Sequence, residues 1–259
     1  MTRTAITFLG LGICAACFCL ATNGTARTGS AKRPATPPAA SSARVLMIGD
    51  SLSVGAFGES VQRYLARRFG PQNVAAYASC GSSPEHWIAS EPDFYTKCGY
   101  RESTPDKLPV YRDFVNGKAP RPTLTPKLEG IVRRYQPTVV VVQLGTNWMD
   151  RNLSDGQINS FLDRFVRSAR GNSVRQIIWI EPPDSSAFRR TQGRIHRLIQ
   201  QGATRNHFEV IDSRPLTHYV PGKTGGDGVH YNSEASRAWA GRINSSLDAK
   251  LRGQLVRNR

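Results

Sequence analysis

Residues 45–52 read Val-Leu-Met-Ile-Gly-Asp-Ser-Leu, an apolar run that gives way to a glycine, an acid and a serine. The run predicts a buried strand, and the residues from Ser51 onward predict the start of a helix. A serine at the end of such a strand lies where an α/β sheet presents its reactive side chains. We therefore expect Ser51 to be a functional residue of an α/β domain.

Apolar runs alternate with helical patterns along the rest of the chain. The runs that predict strands are Val45–Ile48, Val74–Ala78, Thr138–Leu144, Ile177–Ile180 and Phe208–Ile211. The run Val139–Val142 is continuous, which favours a central strand covered on both faces. Since amphipathic helical patterns separate the runs, the sequence predicts a three-layer α/β/α sandwich with a five-stranded parallel sheet.

One stretch, residues 82–123, breaks this alternation. It holds six aromatic residues among many prolines and charges, without a sustained period. A loop this long in a compact domain is usually functional or disordered, and its aromatic residues argue against disorder. We expect a functional loop insertion that begins directly after Gly81.

The first 43 residues are predicted to precede the folded domain, which spans residues 44–259. Arg3 and the apolar run Ala5–Ala21 indicate a signal peptide over residues 1–26, and the Ala-, Ser- and Pro-rich residues 27–43 indicate a disordered linker. The apolar run is shorter than the roughly 20 residues of a membrane-spanning helix. We expect an exported protein, periplasmic or secreted, with a retained membrane anchor as the alternative.

The cysteines fit this compartment. If the signal peptide is removed, only Cys80 and Cys98 remain, which predicts one disulfide near the start of the insertion. Two unrelated buried thiols are the alternative. The small residues before Cys17 leave a lipid anchor there as a further alternative, although the leucine usual three positions earlier is missing.

The formal net charge of +16 favours contact with anionic polymers, such as those of a cell envelope. A basic composition that serves solubility alone is the alternative. No specific nucleic acid is predicted as a partner.

Four short segments carry the chemistry. In chain order they are Gly49-Asp50-Ser51-Leu52, Gly81, Gly145-Thr146-Asn147 and Asp227-Gly228-Val229-His230. On these residues the chain resembles the SGNH, or GDSL, hydrolase family of esterases and lipases. The resemblance implies a flavodoxin-like fold and no cofactor. It also implies that Ser51 is the nucleophile, that Gly81 and Asn147 help to form the oxyanion hole, and that Asp227 and His230 are acid and base.

Elementary chemistry supports these roles. Ser51 needs a base to take its proton, and His230 can do so at neutral pH. Asp227 lies three residues before His230, a spacing that lets its carboxylate reach the far ring nitrogen. Asp212, after the last predicted strand, is the alternative acid. His196 and the other histidines do not group with carboxylates or thiols at metal spacings, so no metal is predicted.

The oxyanion of the tetrahedral intermediate needs fixed donors, which the amides of Ser51 and Gly81 and the side chain of Asn147 can supply. Trp87 and Trp148 are candidate substrate contacts, because an indole can stack on a sugar ring. Trp148 follows an oxyanion donor directly, so we expect it to crowd a long acyl chain; an indole that turns into the core is the alternative.

The sequence therefore predicts an exported serine esterase that acts through an acyl-enzyme. Its expected substrates are short-chain O-acyl esters, chiefly acetyl esters, of envelope or extracellular carbohydrate. Three alternatives stay open: an envelope O-acetyltransferase with the same triad, a lipase or thioesterase for longer acyl chains, and a binding module for anionic glycan without turnover.

Overall fold

The computed structural model describes residues 43–256 of the 259-residue chain. The predicted signal peptide, and all of the predicted linker except Ala43, lie outside the described residues. Within residues 43–256, no helix is long and apolar enough to cross a bilayer.

Nine strands are present in this part of the chain. They are β1 (Val45–Gly49), β2 (Val74–Ser79), β3 (Tyr95–Thr96), β4 (Tyr100–Ser103), β5 (Val110–Arg112), β6 (Thr123–Leu124), β7 (Val139–Gln143), β8 (Gln176–Ile180) and β9 (Glu209–Ile211). Seven of them form one sheet in the order β5-β4-β2-β1-β7-β8-β9, and β3 pairs with β6 separately. The five strands from β2 to β9 in this order are parallel.

The predicted five-stranded sheet is thus correct in its parallel part but too small. Two further strands, β4 and β5, add antiparallel to the edge of β2. Both come from the segment predicted as a loop, which is an insertion that carries a hairpin. These strands have only four and three residues and carry charged side chains, so they show no alternation of apolar and polar residues from which a strand could be predicted. They form because β4 pairs with the edge strand β2 and β5 pairs with β4.

Helices cover both faces of the sheet. They are α1 (Ser51–Val54), α2 (Ala56–Phe69), α3 (Leu128–Tyr135), α4 (Asp155–Ala169), α5 (Gln192–Asn206) and α6 (Ser233–Val256). Alternate residues of β1 point to opposite faces, as strand geometry requires. Leu46 and Ile48 pack with α3, α4 and α5, whereas Val45 and Met47 pack with α2 and α6. The three-layer α/β/α prediction is confirmed.

The disulfide between Cys80 and Cys98 is present, with Cα atoms 5.5 Å apart. It joins the end of β2 to the residues that lead into β4. The hairpin of β4 and β5 is therefore fixed both by its pairing with β2 and by a covalent link.

The strand order places a crevice beside β1. The chain runs outward from β1 to β2 on one side and from β7 to β9 on the other, so the order reverses between β1 and β7. Ligands of open α/β sheets bind at the carboxyl ends of the strands at such a point. Ser51 follows β1 and Asn147 follows β7, so the fold brings both segments to this crevice.

Candidate active site

Ser51, His230 and Asp227 form one hydrogen-bonded chain. Ser51 Oγ lies 2.9 Å from His230 Nε2, and His230 Nδ1 lies 2.5 Å from Asp227 Oδ2. With the proton on Nδ1 donated to the carboxylate, Nε2 is free to accept the hydroxyl proton of Ser51. The contact spans 179 positions of sequence, and this is the geometry of a nucleophile, its base and an orienting acid.

Local backbone geometry holds the acid in place. Asp227 Oδ1 accepts hydrogen bonds from the amides of Val229 and His230 at 2.9 and 2.7 Å, and Gly228 permits the turn with a φ of 86°. Burial alone would raise the pKa of Asp227, but the hydrogen bonds from His230 and Val229 outweigh it and lower the pKa to about 2. Asp227 is therefore ionised at neutral pH.

Asp212, the alternative acid, has a different partner. Its carboxylate accepts hydrogen bonds from the Arg214 amide at 2.9 Å and from the Arg214 guanidinium at 3.0 and 2.7 Å. The structure thus places Asp227, and not Asp212, against His230.

One group of metal-ligating side chains occurs among the residues that the structure describes. Glu181, His196 and Asp212 place ligand atoms within 4.8 Å of one another. The expectation that His196 stands apart from carboxylates is therefore wrong, because the fold brings the ends of β8 and β9 beside α5. Buried His196 Nδ1 lies 3.0 Å from buried Glu181 Oε2. The Arg214 guanidinium already forms an ion pair with the Asp212 carboxylate, and its positive charge disfavours a metal cation beside it. We therefore assign no metal to this cluster.

The predicted oxyanion donors converge on the same crevice. Gly81 has a φ of 78°, a backbone conformation that favours glycine. An added Cβ would meet only ordinary contacts at 3.5 Å and beyond, so the backbone conformation and not space is the reason for glycine here. Asn147 lies in a single 3-10 turn after β7, and its Nδ2 donates to the Ser82 carbonyl at 2.8 Å. This bond fixes the side chain and leaves its second N–H for a ligand. Ser51 begins α1, so its amide lies at a helix N-terminus.

Trp87 and Trp148 are not substrate contacts, which corrects the sequence-based prediction. Both indoles are fully buried. Trp87 Nε1 donates to Ser82 Oγ at 3.1 Å, and Trp148 Nε1 donates to Glu85 Oε2 at 2.9 Å. A buried indole contributes a large apolar area and finds a partner for its N–H, and both tryptophans do so here. Trp148 therefore does not crowd an acyl chain.

Sequence reasoning missed Glu85, which joins the two oxyanion segments. Its carboxylate is almost completely buried and accepts from Trp148, next to Asn147, while also pairing with Arg151. Glu85 itself lies four residues after Gly81. A buried acid needs such partners, but they come from a distant segment that no local pattern indicates.

Asp50, beside the nucleophile, has a perturbed carboxyl group. It is fully buried and caps α1 by accepting from the Leu52 amide at 3.0 Å. Burial raises the pKa of Asp50 to about 6 despite the hydrogen bond from Leu52. The capping bond shows that Asp50 holds the turn between β1 and α1.

A cleft of about 620 Å³ opens from the triad. Ser51 and His230 are among the residues that line it. The hairpin of β4 and β5 contributes Arg101 and Tyr111, and α6 contributes Arg237. The volume lies within the roughly 300–1,000 Å³ of ligand sites, so the triad faces a space that can hold a substrate.

The sequence matches the model of the GDSL-like lipase/acylhydrolase family over residues 45–243. No curated protein sequence matches the chain. Among solved structures, it is similar to a peptidoglycan O-acetylesterase, with 12% identity, 83% of this chain and 93% of that chain covered, and a TM-score of 0.55.

Two further structures are similar to the same extent. An acetylxylan esterase from Geobacillus stearothermophilus has 14% identity, a TM-score of 0.54 and coverage of 82% of this chain and 96% of that chain. A carbohydrate esterase family 3 protein from Talaromyces cellulolyticus has 14% identity, a TM-score of 0.53 and coverage of 82% and 99%. At these identities the likeness shows a shared fold.

Proposed function

Because the chain belongs to the GDSL-like lipase/acylhydrolase family and is a hydrolase that acts on esters, we propose that it is an exported serine esterase that removes short acyl groups, chiefly acetyl, from carbohydrate. The observation that carries this proposal is the chain of hydrogen bonds from Ser51 through His230 to Asp227 at the end of an open cleft.

In the first half of the proposed reaction, Ser51 Oγ attacks the carbonyl carbon while His230 Nε2 takes the hydroxyl proton. Ionised Asp227 stabilises the imidazolium that forms. When the tetrahedral intermediate collapses, the ester C–O bond breaks and His230 gives its proton to the leaving alcohol. In the second half, His230 takes a proton from water as the water attacks the acyl carbon. The bond from that carbon to Ser51 Oγ then breaks, His230 returns the proton to Oγ, and the carboxylic acid leaves.

The developing oxyanion is stabilised by the amides of Ser51 and Gly81 and by the side-chain N–H of Asn147. Such donors act without reorganisation when they are already held in place, and removing one typically costs about 10²–10³ in turnover. The bond from Asn147 to the Ser82 carbonyl at 2.8 Å supports this preorganisation.

Two observations support an acetylated carbohydrate as substrate. The similar structures include a peptidoglycan O-acetylesterase and an acetylxylan esterase. The cleft is lined by charged and hydroxyl-bearing side chains as well as by apolar ones such as Leu52 and Val110. Covering the charged and hydroxyl groups with a long acyl chain would leave them without partners. The net charge of +16 further supports contact with an anionic envelope polymer.

Export is supported by the apolar N-terminal run and by the disulfide. A bond such as Cys80–Cys98 persists in oxidising compartments and is rare in the cytosol. Fractionation of cells that express the full chain, followed by N-terminal sequencing, tests this part of the proposal. Unprocessed protein confined to the cytosol would contradict it.

Hydrolysis of p-nitrophenyl esters of graded acyl length tests the acyl preference. We expect kcat/KM to be highest for acetyl and to fall with each added pair of methylenes. Acetate release from acetylated xylan and from O-acetylated peptidoglycan tests the alcohol. A rise in kcat/KM from acetyl to octanoyl would favour a lipase or thioesterase instead. Transfer of acetyl to added oligosaccharide in place of water would favour a transferase.

A further inference from the structure

We infer that the cleft beside Ser51 is the site of the leaving alcohol, and that the inserted hairpin of β4 and β5 selects a sugar there, with the ring of Tyr111 as its platform. This inference rests on the proposed esterase function. It goes further in assigning which wall of the cleft recognises the substrate and which side chain distinguishes a sugar from an apolar alcohol.

The position of the cleft relative to the triad indicates which part of the ester the cleft holds. Ser51 and His230 line the cleft, whereas Gly81 and Asn147 are not among the described residues that line it. In the tetrahedral intermediate the oxyanion points to the oxyanion donors, and the alcohol oxygen must face His230, which protonates it. The cleft therefore extends on the side from which the alcohol leaves.

The walls of the cleft favour an alcohol that carries hydroxyl groups. Asp113 offers a carboxylate acceptor, and Arg101 and Arg237 offer guanidinium donors. The carboxylate of Glu59 also lines the cleft but already pairs with Arg63. No acidic partner of Arg237 is present among the described residues. An apolar alcohol would desolvate these charges without pairing them, at a cost that a hydroxyl-rich sugar avoids.

Tyr111 has the exposure and the support that a stacking platform needs. Its side chain is 56% exposed, and its hydroxyl donates to Asp113 Oδ2 at 2.8 Å. It lies directly opposite Arg101 in the β4–β5 register, and Arg101 in turn donates to Gln62 at 2.6 Å. An exposed aromatic ring held this way presents a flat apolar face beside polar groups, which matches a sugar ring with its apolar face and hydroxyl rim.

Four variants and three acetyl esters test this assignment. The substrates are a monoacetylated glucose, hexyl acetate and ethyl acetate, whose alcohols are respectively a sugar, an apolar chain and a group too short to reach the hairpin. We expect wild-type kcat/KM to be higher for the glucose ester than for hexyl acetate. Tyr111→Ala should lower kcat/KM for the glucose ester about tenfold more than it lowers kcat/KM for ethyl acetate. Tyr111→Phe should retain most of the activity, because the ring remains.

The matched control is Tyr95→Ala, which removes a similarly exposed ring (52%) that does not line the cleft. This variant should leave kcat/KM unchanged for both the glucose ester and ethyl acetate. Asp113→Asn should lower kcat/KM for the glucose ester more than it lowers kcat/KM for ethyl acetate. Equal losses of Tyr111→Ala on the glucose ester and ethyl acetate, or no loss on either, would overturn the assignment. A wild-type enzyme that hydrolyses none of the three esters would instead contradict the esterase function itself, so the two failures are distinguishable.

Discussion

Replacing Asp50 by asparagine should stabilise the protein at neutral pH and have little effect in acid. Burial raises the pKa of this carboxyl from 3.8 to about 6, and one pKa unit corresponds to about 1.4 kcal/mol. Ionised Asp50 therefore costs the folded state about 3 kcal/mol relative to the unfolded chain. Asparagine carries no charge, and its side-chain oxygen can still accept the capping hydrogen bond from the Leu52 amide, which is 3.0 Å long in the wild type.

The stability difference between Asp50→Asn and wild type depends on pH because Asp50 binds a proton more tightly in the folded state. Because the pKa is raised in the folded state, the contribution of Asp50 to stability is fully present below pH 3.8 and is lost as the pH rises through about 6. Asp50→Asn does not titrate. Its free energy of unfolding, relative to wild type, should therefore increase by about 2 kcal/mol between about pH 4 and pH 7.

Urea unfolding at a series of pH values measures this difference. Asp150→Asn is the control, since it changes an exposed carboxylate with no hydrogen bond or ion pair in the described part of the chain. A constant difference between Asp50→Asn and wild type over the whole pH range would refute the reasoning. Activity should fall in Asp50→Asn, because the imidazolium of His230 loses a nearby negative charge in the transition state.

Three further perturbations have defined outcomes. Asp227→Asn should lower kcat by about 10⁴, because the amide no longer holds the productive tautomer of the histidine; near-normal steady-state turnover would count against Asp227 as the acid. Replacing Cys80 and Cys98 together by serine should lower the free energy of unfolding by about 3 kcal/mol, the value for a loop of this length, and an unchanged urea midpoint would contradict that estimate. Glu85→Ala should lower kcat for p-nitrophenyl acetate more than it raises KM, since it frees the segment that carries Asn147, and Glu85→Gln should restore part of the loss because it still accepts from the indole. A loss of thermal stability with unchanged kcat would show that Glu85 is structural only.

The parallel sheet could be predicted because most of its strands coincide with continuous apolar runs in the sequence. Val139–Val142, buried on both faces, is the clearest case. The hairpin of β4 and β5 could not be predicted, because its strands are short and polar and depend on the edge of β2. Local pattern carries no information about an edge that a distant segment supplies.

The triad could be predicted because its members lie in short segments whose residue types fit one reaction. The tryptophans could not be placed in the same way. Trp148 is adjacent in sequence to Asn147, yet successive residues of a turn point in different directions, and its indole enters the core while the amide stays at the crevice. Adjacency in sequence therefore did not predict contact with substrate. The pairing of Glu181 with His196 was missed because it joins two elements that meet only in the fold.

The most direct test of the central claim is the kcat/KM of Ser51→Ala beside wild type on p-nitrophenyl acetate, with urea midpoints measured for both. Ser51 is only partly buried, so the variant should fold normally. We predict that wild type hydrolyses the ester and that kcat/KM of Ser51→Ala falls by about 10⁶. A folded Ser51→Ala variant that keeps a substantial part of the wild-type rate would contradict the account.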